Sequence, residues 1–339
     1  MSDALLKIGF TMGDINGIGL EVTLKALRHA KIFDYCIPII YGSGKIVSYH
    51  KNILDDEAFD FNNCNQLNEV RPGRVNIINL WNESYNITLG KPTEASGQVA
   101  LRSLEAAVND LKEGSIHALV TAPISKQAMQ MAGFPHVGHT EFLAQAAGAK
   151  EALMLMISRQ MKLGLVTAHV PLVNVPALIT KELVQKRISQ FEKALKRDFG
   201  YERPTIAVMG LNPHAGDEGL IGTEDNDMIR PAIIEAKKSG SMVMGPFSAD
   251  GFFGSGQYKK FDGILAMYHD QGLIPFKALS FGDGVNYSAG LNMVRTSPDH
   301  GTAFEIAGKN EADAGSMVQA IFTAIDIVKE RQRYAAAQA

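Results

Sequence analysis

Three histidines share one local setting: an apolar run, then the imidazole, then a turn residue. They are Leu165-Val-Thr-Ala-His169-Val-Pro171, Ile206-Ala-Val-Met-Gly-Leu-Asn-Pro-His214-Ala-Gly216 and Ile264-Leu-Ala-Met-Tyr-His269-Asp-Gln-Gly272. Neutral imidazole is a common ligand for zinc, cobalt, nickel and iron, and three of them leave positions open for water or a substrate oxygen, as a catalytic metal requires. Taken singly, each could be a hydrogen-bonded loop residue; the repeated context argues for a shared role. Asp270, Asp217 and Glu218 lie beside them, either as partners that fix the imidazole tautomer or as solvated turn carboxylates.

A second group of residues has the chemistry of an anion site. Gly138-His139-Thr140-Glu141 precedes a helix expected over residues 142–147, where backbone N–H groups and the Thr140 hydroxyl would suit a phosphate. The alternative reading makes Thr140 a simple N-cap. Lys277, Asn286 and Arg295 follow the third histidine strand and either clamp a phosphate or carboxylate by charge-assisted bonds or lie on the surface. The loop Gly13-Asp14-Ile-Asn16-Gly17-Ile-Gly19 sits where a nucleotide-binding unit would carry its phosphate loop, but it is neither G-x-G-x-x-G nor Walker A and reads as a tight turn.

These groups need elements to hold them. Short β-branched or apolar runs alternate with helical periodicity, which argues for an α/β protein with a largely parallel sheet. Strands are expected at residues 7–12, 37–41, 118–121, 164–167, 205–210 and 263–267. The last three lead into the three histidines, and in an open α/β sheet the carboxyl ends of strands are where ligands bind. A helix is expected over residues 96–112, with Ser96 as cap and Gly114 as stop, and another after Thr180, ending near Gly200. The Ala/Gln tail after Arg333 is expected to fray.

Bulk properties narrow the class. A chain of 339 residues exceeds the usual size of one hydrophobic core, so two domains or lobes are expected. Formal charge is −3 and no Lys/Arg block occurs, which argues against nucleic acid as a partner. The N-terminus lacks a signal-type pattern and no apolar run would span a bilayer, so no membrane association and a cytoplasmic location are expected. Cys36 and Cys64 lack metal or disulfide spacing and read as small hydrophobes.

Six stretches together, Gly13-Asp14 to Glu21, Thr121-Ala-Pro-Ile-Ser-Lys126, Gly138-His-Thr-Glu141, Leu211-Asn-Pro-His-Ala-Gly216, Met267-Tyr-His-Asp-Gln-Gly272 and Arg295-Thr-Ser-Pro-Asp-His-Gly-Thr-Ala-Phe304, closely resemble the 4-hydroxythreonine-4-phosphate dehydrogenase family of pyridoxal phosphate (vitamin B6) biosynthesis. The resemblance runs over nearly the whole chain. It implies two α/β/α lobes with mostly parallel sheets, like those of isocitrate and isopropylmalate dehydrogenases, with no Rossmann domain. The lobe boundaries it suggests are 1–125 with 300–339, and 126–299.

It further implies a homodimer whose active site lies at the dimer interface, with one metal ligand from the other subunit. One divalent metal per subunit (Zn, Mg, Co or Mn) is expected on His169, His214 and His269. The implied contacts to a small phosphorylated substrate are His139, Thr140, Lys277, Asn286 and Arg295. Asp299, His300, Gly301, Thr302, Ala303 and Gly308 look like the adenosine loop that binds NAD(P) in β-decarboxylating dehydrogenases. Asp250 and Lys126 are the candidates for moving the proton. The implied reaction oxidises 4-phosphohydroxythreonine at C3 to a 3-oxo acid, which decarboxylates to 3-amino-2-oxopropyl phosphate.

Ile15, Leu20 and Asn292 stand where the family usually has proline. Losing a fixed φ relaxes a turn without removing any catalytic side chain. That keeps open a sister dehydrogenase acting on another phosphorylated hydroxy acid, such as a four-carbon sugar-acid phosphate. A metal-dependent hydrolase or a binding protein on the same fold is the reading from a different class, and the Asp299 to Gly308 segment argues against it.

Overall fold

The computed structural model describes all residues except 1–4, 55–58, 137, 150, 281 and 339. The chain forms two compact units, residues 1–151 with 291–328 and residues 152–290 with 329–339. The sequence reading put the changes of lobe at 125/126 and 299/300. Each unit has a six-stranded sheet among the described residues.

The first unit holds β1 (Leu6–Thr11), β2 (Cys36–Gly42), β3 (Phe61–Cys64), β4 (Val75–Asn79), β5 (Ala118–Val120) and β12 (Arg295–Pro298). Their order is β3-β4-β2-β1-β5-β12, and every pair is parallel. Such a sheet must be covered on both faces. Accordingly β2 is buried at every position and β1 at all but one. The crossovers are supplied by α1 (Gly19–Leu27), α2 (Gly44–Ile53) and α3 (Glu94–Lys112), with α4 (Lys126–Met131) and α5 (His139–Ala146) following β5.

Helix α3 begins two residues before the expected start. Its cap is Thr93 rather than Ser96: the Thr93 hydroxyl accepts from the Ser96 N–H at 3.1 Å, while Ser96 Oγ accepts from the Thr93 N–H at 3.2 Å. This reciprocal capping box satisfies two N–H groups that would otherwise be orphaned. Helix α9 (Gly315–Gln338) buries Met317, Ile321 and Ala324, and its Ala320 carbonyl accepts from the Thr296 hydroxyl. The tail after Arg333 does not fray; it is helical through Gln338.

The second unit holds β6 (Leu153–Ile157), β7 (Lys162–Leu165), β8 (Thr205–Met209), β9 (Met242–Phe247), β10 (Gly263–Ala266) and β11 (Val285–Ala289), in the order β11-β6-β7-β10-β8-β9. Strands β7, β10, β8 and β9 run parallel, whereas β6 is antiparallel to both of its neighbours. Helix α6 (Lys181–Phe199) starts on Thr180, whose hydroxyl accepts from the Leu183 N–H, and ends on Gly200 at φ 72, a left-handed cap that glycine adopts without steric cost. One face of this sheet packs Leu163, Leu165, Met209, Ile264, Phe252 and Phe276 into a core; burying each such side chain stabilises the fold by about 1.5–3 kcal/mol. All six strands expected from sequence are present, and both cysteines are buried. Among the described residues no helix is long and apolar enough to cross a membrane.

Candidate active site

In the second unit the three histidines stand just beyond the carboxyl ends of β7, β8 and β10, which are consecutive parallel strands with β10 in the middle. The ladder from β10 to β7 places Ala266 opposite Leu165, and the one to β8 places Leu265 opposite Val208. His169 and His269 come together, with ring centroids 5.8 Å apart and planes tilted by 45°. His269 opens helix α8 (His269–Leu279), and its Nδ1 lies 2.8 Å from Asp270 Oδ1. A carboxylate on Nδ1 leaves Nε2 available as a ligand atom, the arrangement that orients metal-binding histidines. Of the three carboxylates weighed from sequence, Asp270 has this contact, whereas Glu218 faces Arg230 at 3.5 Å.

His214 is not brought to the other two. It lines a cavity of about 550 Å³ with Asn212, Ser248, Asp250 and Gln271, whereas His169 and His269 line one of about 520 Å³. Tyr268 and Asp270 border both cavities. Among the described residues no group of three His, Cys, Asp or Glu side chains is placed to hold a metal ion.

The loop that carries His214 is unusual. His214, Ala215, Gly216, Asp217 and Glu218 have φ of 53, 52, 80, 43 and 54, a full left-handed turn in which only one residue is glycine. Each non-glycine residue there costs roughly 1–2 kcal/mol, strain that persists only where the surroundings impose it. Just before the turn the chain is anchored by Asp225, fully buried, whose carboxylate accepts from Leu211 N (2.8 Å), Asn212 N (3.0 Å) and Asn212 Nδ2 (3.0 Å).

Asp250 lies in helix α7 (Ala249–Gly254), exposed. Its carboxyl is held below its usual range by the Ser248 hydroxyl first, then by the Gly251 N–H, with a smaller contribution from His214. Lys277 lies exposed on α8, and Asn286 is on β11 with its buried Oδ1 lacking a hydrogen-bond partner.

Of the anion-type residues, the first unit holds His139, Thr140 and Arg295, whereas Lys277 and Asn286 lie in the second. Arg295, at the start of β12, is almost wholly buried, and its guanidinium donates through Nε and Nη2 to the Thr121 hydroxyl at 2.9 and 2.6 Å. Burial pulls its pKa down to about 10, opposed by the charge of Glu141. Nη2 also lies 3.3 Å from His139 Nδ1, so that nitrogen faces a donor and the imidazole proton belongs on Nε2. The Nε2 atom is buried without a partner. Burial first, then the Arg295 charge, hold His139 neutral by lowering its pKa well below the usual range.

A buried cation hydrogen-bonded to neutral partners, next to an imidazole N–H, has the electrostatics to attract an anion. The helix starts three residues earlier than expected: Gly138 is the N-cap of α5, so Thr140 is not a cap but lies in the first turn. Lys126 lies exposed at the start of α4, capped by the Ser125 hydroxyl.

The candidate cofactor segment also lies in the first unit. Asp299 N donates to Ser316 Oγ, Ala303 has a left-handed φ of 40, and His300 keeps a buried Nε2 with no partner. The Gly13 to Gly19 loop packs directly on this segment: Ile18 N donates to the Thr302 carbonyl at 3.0 Å, and a Cβ on Gly17 would sit 2.8 Å from that oxygen. Gly17 therefore serves close backbone packing. Ile15 and Leu20, in place of the expected prolines, are fully buried. Asn16 ties the loop down through bonds to Thr88 N, Lys91 O and Thr93 Oγ1. Beneath it His50 is buried against the Ile15 backbone, and burial lowers its pKa to about 4.

Sequence reasoning did not find Thr121, Asp225 or Gln271. Gln271 stood inside a quoted motif without a role, and nothing near Asp225 in sequence marks it.

Sequence and fold are similar to those of known proteins. The family described as "Pyridoxal phosphate biosynthetic protein PdxA" matches residues 34–324. A 4-hydroxythreonine-4-phosphate dehydrogenase from Bacteroides thetaiotaomicron is 46% identical over 339 residues, covering 100% of this chain and 93% of that protein. The crystal structure of 4-hydroxythreonine-4-phosphate dehydrogenase from Klebsiella pneumoniae superposes with a TM-score of 0.84 at 32% identity, covering 97% of this chain and 99% of the other. An isocitrate dehydrogenase from Methylococcus capsulatus shares the fold alone, with a TM-score of 0.51 at 12% identity over 98% of this chain and 89% of the other. On sequence and structure together, the chain belongs to the PdxA family of pyridoxal phosphate biosynthetic dehydrogenases.

Proposed function

We propose that the chain is an NAD(P)-dependent 4-hydroxythreonine-4-phosphate dehydrogenase that works as a homodimer with one divalent metal per subunit. The observation that carries this reading is the buried Arg295 guanidinium, hydrogen-bonded among the described residues to the neutral Thr121 and His139, with a buried His139 Nε2 that has no hydrogen-bond partner among them. A phosphate ester supplies the missing negative charge, and Thr140 adds a hydroxyl in the first turn of α5.

His169 and His269 suit a divalent ion such as zinc, cobalt, manganese or magnesium, since Asp270 occupies Nδ1 of His269 and leaves Nε2 for the ligand bond. His214 is the third ligand in this reading and comes from the second copy of the chain, which agrees with its separation from the pair. When bound, the ion acts as a Lewis acid on the 3-hydroxyl and later on the 3-oxo group. The Asp299 to Gly308 segment is the cofactor loop, and the unpaired Nε2 of His300 fits a polar atom of the adenosine.

In this scheme Arg295, His139 and Thr140 anchor the phosphate, while Lys277 and Asn286 orient the carboxylate and hydroxyl. Orientation of this kind supplies much of the rate in a two-substrate reaction. Asp250, a carboxylate at neutral pH, or Lys126 takes the hydroxyl proton as the C3 hydride passes to the nicotinamide. The β-oxo acid then loses carbon dioxide, the electron pair of the C1–C2 bond passing to C2, and a proton delivered to C2 gives 3-amino-2-oxopropyl phosphate.

The test is NADH formation at 340 nm from 4-phosphohydroxythreonine with metal-replete enzyme, chelated enzyme and His214→Ala. Turnover that disappears on chelation and in the variant is expected. No turnover with NAD still bound redirects the assignment to another phosphorylated hydroxy acid; absent NAD binding overturns the oxidoreductase reading.

A further inference from the structure

The β8 and β10 ladder ends at Val208 and Leu265, short of both histidines that follow. Beyond it, one side chain spans the two strand ends. Gln271 Nε2 donates to the Gly210 carbonyl at 2.6 Å, four residues before His214, and Gln271 Oε1 accepts from the Met267 N–H at 2.7 Å, two residues before His269. Met267 is gripped from its other side as well: its carbonyl accepts from Thr167 N at 3.1 Å and Thr167 Oγ1 at 2.7 Å, two residues before His169. The strand ends that carry the three imidazoles are thus joined by one chain of hydrogen bonds, from Thr167 through Met267 and Gln271 to Gly210. All of these atoms lie in the second unit.

We propose that Gln271 is a positioning residue that fixes the His214 loop relative to the His269 turn. The start of the loop is anchored on several sides. Residues 211 and 212 hang on Asp225, Gly210 N donates to the Phe247 carbonyl, and Gln271 is the contact that ties Gly210 to the β10 side. Beyond residue 212 the left-handed turn leaves His214 exposed, so a shift of these anchors carries its imidazole with it. The amide is suited to this in a way that neither a carboxylate nor a hydrocarbon is. One end must donate to a carbonyl and the other must accept from an N–H, and both bonds are short. Glutamate in its place keeps the length and the Met267 bond but sets a carboxylate oxygen against the Gly210 carbonyl oxygen.

This inference rests on the reading of the histidines as metal ligands. Its test titrates chelator-stripped full-length protein with cobalt(II), following visible absorption and affinity, for wild type, Gln271→Met, Gln271→Glu and His214→Ala, with thermal midpoints of the metal-free proteins in parallel. Loss of a group that orients a metal ligand typically costs 10–100-fold in affinity. A 10–100-fold weaker cobalt affinity and an altered absorption band are expected in both Gln271 variants, with metal-free midpoints close to wild type. If Gln271→Met fails to fold, Gln271→Glu carries the comparison. Affinities within twofold of wild type, with His214→Ala impaired, overturn the role of Gln271 and leave the metal reading standing. Wild type and His214→Ala binding cobalt alike overturn both.

Discussion

Arg295→Met separates a residue kept for function from one kept for stability. In the ligand-free protein Arg295 is a buried charge with no opposite charge bonded to it. Burial draws its pKa from the usual guanidinium range down to about 10, and at about 1.4 kcal/mol per pH unit this is roughly 3 kcal/mol against the charged form. Because the folded-state pKa is the lower of the two, the penalty is fully present below pH 10 and is relieved only as pH rises from about 10 toward that range. It is constant across any ordinary assay range.

Methionine of similar length removes that penalty. It also removes the two bonds to Thr121 Oγ1, each contributing about 1 kcal/mol net. The variant is therefore expected to be as stable as wild type or about 1 kcal/mol more stable in urea unfolding. Ligand response reverses the order. Inorganic phosphate at about 100 times its dissociation constant adds about 2.7 kcal/mol to a protein that binds it, and this increment is expected in wild type and absent in Arg295→Met. A variant at least 2 kcal/mol less stable that still responds to phosphate as wild type does would refute the reasoning, since Arg295 would then be a structural residue.

Two further outcomes follow from the first unit. His50 has its pKa lowered to about 4 by burial, so the unfolded chain takes up a proton that the fold refuses; its contribution is whole above pH 6.5 and is lost as pH falls from there toward 4. His50→Gln is expected to flatten the stability-pH slope over that window by up to about 1.4 kcal/mol per pH unit, read from urea midpoints, and identical slopes in the two proteins would contradict the assignment. Gly17→Val places a Cβ 2.8 Å from the Thr302 carbonyl and must displace the Asp299 to Gly308 loop. A tenfold or greater loss of NADH affinity by fluorescence titration is expected, and unchanged affinity would remove that loop from the cofactor site.

The strands leading into the histidines were legible because each is a short apolar run closed by a turn residue, a pattern local enough for sequence to carry. Thr180 and Gly200 were legible for the same reason, since a cap acts on its own turn. Strands β3, β4, β6, β9, β11 and β12 were not picked out: Phe61–Cys64 and Arg295–Pro298 contain too few apolar residues for periodicity to register, and their strand form comes from pairing with distant neighbours. The cap was placed three residues late, at Ser96, because Thr93 and Ser96 are both capping residue types, and only the fold shows which is outside the helix. Thr121 and Gln271 act through bonds to residues far away in sequence, Arg295 and Gly210, and Asp225 through three bonds to residues 211 and 212, and no spacing rule encodes such pairs.

The left-handed turn at residues 214–218 has a consequence for how this region can vary. Ala215, Asp217 and Glu218 take positive φ, where a β-branched side chain meets its own backbone whatever surrounds it. In a saturation library, valine, isoleucine and threonine should be depleted at 215, 217 and 218, while glycine, asparagine and aspartate are enriched. The exposure of Asp217 and Glu218 would ordinarily mark them as freely exchangeable. Here the permitted alphabet is set by chirality at the α-carbon, so the segment would look selected for function even at positions whose side chains touch no ligand.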